Sequence, residues 1–148
     1  MCNNNESNNE CRCIAEILTT INILQNNAEN NDSCLDSCDR GFLGCSVSSC
    51  NCNTRPIMLY TFCGNGIPWS MPVIKDNIVC TGEQNGLCSS VFRIEKIDGC
   101  CATFRVLANN PDNTDGCFPY VATNSFFTMN LNCVCSIRCL NDTFIDCI

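Results

Sequence analysis

Val91-Phe92-Arg93-Ile94-Glu95-Lys96-Ile97-Asp98-Gly99-Cys100-Cys101-Ala102-Thr103-Phe104-Arg105-Val106-Leu107 reads as two alternating apolar and polar runs that meet at Asp98-Gly99. Alternation is the period of a half-buried strand, and an Asp-Gly step between two such runs is a strong hairpin signal. Two registers compete. A two-residue loop at Asp98-Gly99 pairs Ile94 with Thr103 and Phe92 with Arg105, which mixes apolar and polar residues on both faces. A three-residue loop, Asp98 to Cys100, pairs Phe92 with Val106 and Ile94 with Phe104. It also gathers Arg93, Glu95, Thr103 and Arg105 on the opposite face. A one-residue slip inverts a strand's faces, so burial outweighs turn preference and the second register is expected. It leaves Cys100 at the hairpin tip and Cys101 on the polar side.

Outward from this hairpin the chain continues in short strands separated by turn signals. Residues 57–62 read as a strand closed by Gly64-Asn65-Gly66, and residues 73–79 as a shorter one followed by a turn at Glu83-Gln84-Asn85-Gly86. Residues 108–119 form a polar loop, and 125–131 and 134–140 supply the last strands. At the front, Ile14, Ile17, Leu18, Ile21 and Leu24 make one helical face, with Thr20, Asn22, Gln25 and Asn26 opposite. So short a helix is marginal alone in water, and its face must dock on its own domain's core or on a neighbouring subunit. The fold class expected is mainly β, a single-domain β-sandwich or small barrel with an N-terminal amphipathic helix. Residues 1–12 read as a flexible Asn/Cys-rich arm. Residues 13–148 read as one domain: a helix over 13–27, a Cys-rich loop region over 28–54 and a β domain over 55–148.

The chain has 148 residues, 18 of them cysteine. That is about 12%, above the roughly 8–10% that marks a disulfide scaffold in a short secreted chain. A domain of this length can build a hydrophobic core without such help, so many sulfurs should serve something beyond monomer stability. The start carries no positively charged segment, and the first apolar stretch is broken by Glu16, Thr19 and Thr20, so no secretory signal is expected. No stretch approaches the ~18 apolar residues of a membrane span. Cysteine density without an export signal suits a metal-thiolate protein, or a protein made reduced whose thiols couple when its surroundings later oxidise. With 8 Lys+Arg against 15 Asp+Glu and no His, nucleic-acid binding is disfavoured. The sparse charge and abundant asparagine suit close packing of copies.

Three C-x-C pairs occur, Cys11/Cys13, Cys50/Cys52 and Cys133/Cys135. On a strand, two such sulfurs point the same way and serve one facing partner better than each other. No C-x-x-C occurs, which removes the thioredoxin-like motif and the usual zinc knuckle. A four-cysteine metal site from Cys133, Cys135, Cys139 and one more stays open, and a cysteine-thiolate metal-binding protein is the alternative function. The cysteines allow roughly thirty million complete pairings, so spacing alone selects none. Cys2, Cys11, Cys13 and Cys147, on or beside tails, are the candidates for bonds between subunits. Cys34, Cys38, Cys50, Cys52, Cys100, Cys101, Cys133, Cys135 and Cys139 are the other disulfide candidates. Catalysis has no His base, nucleophile elbow or phosphate loop to stand on. No catalytic, cofactor-binding or metal residue is assigned, and no cofactor is expected. Trp69, between Pro68 and Pro72, reads as a packed loop anchor.

These residues resemble the cysteine-rich spore coat and exosporium proteins of the CotY/CotZ and ExsY type. The resemblance lies in the Cys-flanked helix with Cys34 and Cys38 after it, in Asn53-Thr54-Arg55-Pro56-Ile57-Met58-Leu59-Tyr60-Thr61, and in the hairpin quoted above. It closes with Asn130-Leu131-Asn132-Cys133-Val134-Cys135-Ser136-Ile137-Arg138-Cys139-Leu140. It implies a structural protein, not an enzyme, that assembles with itself, as hexameric rings in a hexagonal two-dimensional layer hardened by disulfides. It also implies synthesis in the mother cell and deposition on the spore surface, in outer coat or exosporium, with other coat or exosporium proteins as possible partners.

Overall fold

The computed structural model describes residues 11–27, 35–37, 40–41, 52–80, 86–113, 118–146 and 148. The expectations for Cys2, Cys34, Cys38, Cys50 and Cys147 lie outside them.

The apolar spacing at the front produces helix α1 (Arg12–Asn27), which buries Leu18 and Ile21 and packs Ile14, Ala15 and Ile17 against the core. It docks on its own domain. Thr19 and Thr20, weak helix formers, turn their hydroxyls back to the carbonyls of Ala15 (2.7 Å) and Glu16 (3.0 Å). Gln25 overturns its assignment to the polar face, being 2% exposed. Its Nε2 donates to the Ile94 carbonyl at 3.0 Å, and its Oε1 accepts from the Arg55 amide at 3.1 Å.

After two short antiparallel strands, β1 (Leu35–Ser37) and β2 (Arg40–Gly41), come β3 (Ile57–Thr61), β4 (Met71–Pro72), β5 (Cys88–Ser89), β6 (Phe92–Asp98), β7 (Cys101–Asn109), β8 (Tyr120–Asn130) and β9 (Val134–Cys139). The main sheet is antiparallel with strand order β8-β7-β6-β3-β9. The mainly-β expectation holds. The barrel does not form, since β8 and β9 end the sheet without pairing to each other. β3 meets β6 at one pair only, Ile57 with Phe92. Two residues on, Arg55 and Ile94 would form the next rung, and the Gln25 amide bridges them instead.

The hairpin satisfies both competing demands. Phe92 pairs with Val106 and Ile94 with Phe104, as burial requires, but Asp98 pairs with Cys101, so the loop is the two-residue Gly99-Cys100. Glu95 is the extra residue of a bulge that absorbs the difference. Gly99 has φ 57°, a conformation cheap only for glycine and the one that a II′ turn takes at its first loop position.

Two strand expectations are corrected. Residues 73–79 are not a strand: Ile78 N donates to Asp76 O in a bend, and the pairing moves to β4 with β5, Met71 opposite Ser89. β8 begins at Tyr120, because the ladder steps from Arg105–Phe126 to Leu107–Ala122 across extra β8 residues. There the Thr123 hydroxyl donates to Val106 O at 2.6 Å and accepts from Ser125 N, standing in for missing backbone rungs.

The core lies between the sheet and α1. Phe92 meets Phe127 edge-on at 4.8 Å, and Phe127 stacks on Phe104 at 5.2 Å. Ile57, Leu59, Ile94, Val106, Leu131 and Val134 complete it. Each such side chain contributes about 1.5–3 kcal/mol by leaving water. On the other face, residues 53–54 pair with the chain end: Thr54 bridges Thr143, and the Asn53 amide bonds both backbone groups of Ile145. Arg55 grips Asp142 in a two-pronged ion pair (3.0 and 3.2 Å), with side chains 1% and 2% exposed.

Candidate functional site

Two internal disulfides are defined among the described residues. Cys11 joins Cys100 (Cα–Cα 5.8 Å) across 89 residues of sequence, pinning the start of α1 to the hairpin tip. Cys80 joins Cys88 (Cα–Cα 5.9 Å) and closes the loop before β5. Cys139 is also disulfide-bonded. Cys13, Cys101 and Cys135 are exposed free thiols, and Cys133 is a half-buried one.

Backbone hydrogen bonds bring most of these sulfurs to one end of the molecule. The Leu131 amide donates to the Cys100 carbonyl at 2.8 Å, tying the hairpin tip to the 3-10 turn Leu131–Cys133. Cys101 stands opposite Asn130, the residue before that turn. The Phe62 amide donates to the Cys133 carbonyl at 3.3 Å, which brings the end of β3 and Cys63 to the same place. Cys135 follows on β9. Between Tyr60–Ser136 and Thr61–Val134 the ladder slips, so Cys135 is a bulged residue, with its thiol donating to the Tyr60 carbonyl at 3.3 Å. A bulge bends its strand and re-aims the extra side chain.

The placement revises several expectations. Cys11 does not sit on a free arm as a staple to neighbours; it is 4% exposed and bonded internally, because it abuts the helix that docks beside the hairpin. Cys11 and Cys13 do not present two sulfurs together, since Cys13 lies within α1 and faces solvent. Cys133 and Cys135 do not share one strand face, since a 3-10 turn ends at the first and a bulge holds the second. Cys100 at the tip and Cys101 exposed on the polar side are as expected. The Cys80–Cys88 link was missed. Its signal was present: two cysteines flanking the turn expected at Glu83 to Gly86.

Cys52 is buried, and burial pushes its thiol pKa up, reinforced by the nearby Asp142 carboxylate. Among the described residues no three cysteine or carboxylate groups come together in a way that could hold a metal ion, and no helix is long and apolar enough to cross a membrane. Polar side chains cluster on the far face of the hairpin, where Glu95 bonds Arg93 (3.0 Å) and Arg105 (2.8 Å), and Arg105 also lies over the Phe126 ring at 4.5 Å. These groups bond one another and the backbone, as a structural network does.

Fold and sulfurs together define a β-rich domain stapled internally by disulfides and carrying unspent thiols at its surface. The family model for spore coat protein Z matches residues 1–119. Spore coat protein Z of Bacillus subtilis (strain 168) is 30% identical over 148 residues, covering 90% of this chain and 92% of its own. The chain belongs to the spore coat protein Z family. No solved structure matches it.

Proposed function

We propose that the protein is a structural subunit of a spore coat, without catalytic activity, which assembles with its own copies into a two-dimensional, hexagonal layer of rings and is then hardened by disulfides between them. The layer lies at the spore surface, in outer coat or exosporium, and the chain is made in the mother cell. The observation that carries this reading is the coexistence, in one chain, of internal disulfides with exposed free thiols at Cys13, Cys101 and Cys135. Internal bonds set the domain, and the remaining sulfurs stay available for neighbours. Noncovalent contacts position the copies first: the sheet ends in two edge strands, and rotation about head-to-tail contacts closes rings. Many repeated links then give resistance, since one broken link leaves its neighbours holding.

Electron microscopy of the purified protein, with and without reductant, tests this. Ordered sheets or rings that survive boiling only when unreduced are expected. Discrete monomers in both conditions would overturn self-assembly and turn attention to stoichiometric metal in anaerobically purified protein.

A further inference from the structure

We propose that the end of the molecule carrying Cys101 and Cys135 is the face through which one copy is joined covalently to a second copy. This rests on the coat-subunit reading above and assigns the links to sulfurs on β-strands instead of to the tails.

Three observations converge on that end. First, Cys101 and Cys135 are exposed and remain thiols while Cys11–Cys100 and Cys80–Cys88 are bonded. Sulfurs bond only where Cα atoms come within about 7 Å with converging side chains, and among the described residues neither Cys101 nor Cys135 is bonded to another cysteine. Second, the backbone fixes both. Cys101 begins β7 opposite Asn130, next to the disulfide-held Cys100, and Cys135 is held in a bulge on an edge strand by its contact with Tyr60. A bulge on an edge strand spoils pairing by backbone and offers a side chain instead. Third, apolar surface adjoins the thiols. Phe62, whose amide bonds Cys133, is 68% exposed, and Ile67 in the same turn is 67% exposed. Large exposed apolar side chains beside reactive sulfurs suit a protein surface more than a small thiol. Because every copy carries the same thiols, a second copy supplies the sulfur.

The chemistry balances with a low-molecular-weight disulfide as oxidant. A thiolate of one copy attacks that disulfide, giving a mixed disulfide and one released small thiol. A thiolate of the second copy then attacks the protein sulfur of the mixed disulfide and releases the second small thiol. One protein–protein S–S bond forms as one small disulfide is reduced.

The test uses the full chain exposed to oxidised glutathione, then alkylated, resolved without reductant and peptide-mapped. Wild-type protein should give a ladder of covalent oligomers whose linking peptides contain Cys101 or Cys135. The C101S/C135S double variant should lose the ladder yet keep the noncovalent particles seen by light scattering, whereas C13S should keep both. Links running only through Cys2, Cys13 or Cys147, or an undiminished ladder in the double variant, would overturn the assignment. Because mapping is done on wild-type protein, a misfolded variant cannot obscure the result. Wild-type protein that neither ladders nor assembles would overturn the coat-subunit reading itself.

Discussion

Arg93 and Arg105 stand directly opposite each other on β6 and β7, and the single carboxylate of Glu95 bonds both, at 3.0 and 2.8 Å. Like charges directly across a sheet repel. The residue that reconciles them is the one that the bulge adds, so hairpin irregularity and charge network share one cause. Arg93 is also anchored to the Thr54 hydroxyl at 2.9 Å, which ties the hairpin to the segment that meets the chain end. Burial pushes its guanidinium below the ordinary arginine range, and Glu95 pulls it back up.

Glu95→Gln keeps the shape and removes the charge. It should lower stability by about 2 kcal/mol, the scale of hydrogen bonds to charged groups, with part of the loss from Arg–Arg repulsion. Urea titration under oxidising conditions measures it. Adding Arg105→Gln to this variant should recover part of the loss, and a neutral Glu95→Gln would show that the carboxylate does not hold the pair.

Gln25→Leu preserves bulk but strips both amide bonds, leaving the Arg55 amide and the Ile94 carbonyl buried without that bridge. Each orphaned group costs about 1–3 kcal/mol. A drop in thermal midpoint is expected, with faster hydrogen exchange at the Arg55 amide. Unchanged exchange there would mean that the amide finds another acceptor.

Replacing Cys11 and Cys100 together by Ser opens a link that spans 89 residues of sequence. In the chain-entropy account a loop of that size contributes about 4–5 kcal/mol. Denaturant unfolding of the variant should shift by much of that amount, while C80S/C88S, which opens a link of separation 8, should shift by less. Equal shifts would argue against the entropic origin.

Cys52 should resist alkylation in the native protein while Cys13 and Cys101 label quickly. Its raised pKa lowers the thiolate fraction at any given pH, and burial limits access. The sign for stability follows. The folded state retains the proton, so the contribution is full below the ordinary thiol range and is lost as pH rises through the raised value. Mass spectrometry after timed labelling at neutral and alkaline pH reads both.

The hairpin was legible in sequence because its burial pattern is decisive: Phe92 and Ile94 can face Val106 and Phe104 in only one register. The bulge that lets Gly99 keep a two-residue turn was not, since alternation alone does not say where an extra residue goes. Gln25 misled because a polar residue on a helix is usually solvated. Only the broken rung between β3 and β6, a tertiary event, gives its amide two backbone partners. Tyr120 to Asn124 were missed because Thr123 replaces ladder bonds with its own hydroxyl and hides the strand period. Among the sulfurs, the exposure of Cys101 followed from the register. The Cys11–Cys100 link depends on where α1 lands, which no local pattern encodes.

The bulge at Glu95 makes the hairpin two adjustable parts. Phe92 and Ile94 answer to the packed interior, whereas the pairing of Asp98 with Cys101 answers to the two-residue turn. The one-residue difference between turn and interior is therefore absorbed at the bulge without turning Phe92 and Ile94 outward. The tip, with its sulfurs, is thereby free to take its own register while Phe92 and Ile94 keep their place in the interior.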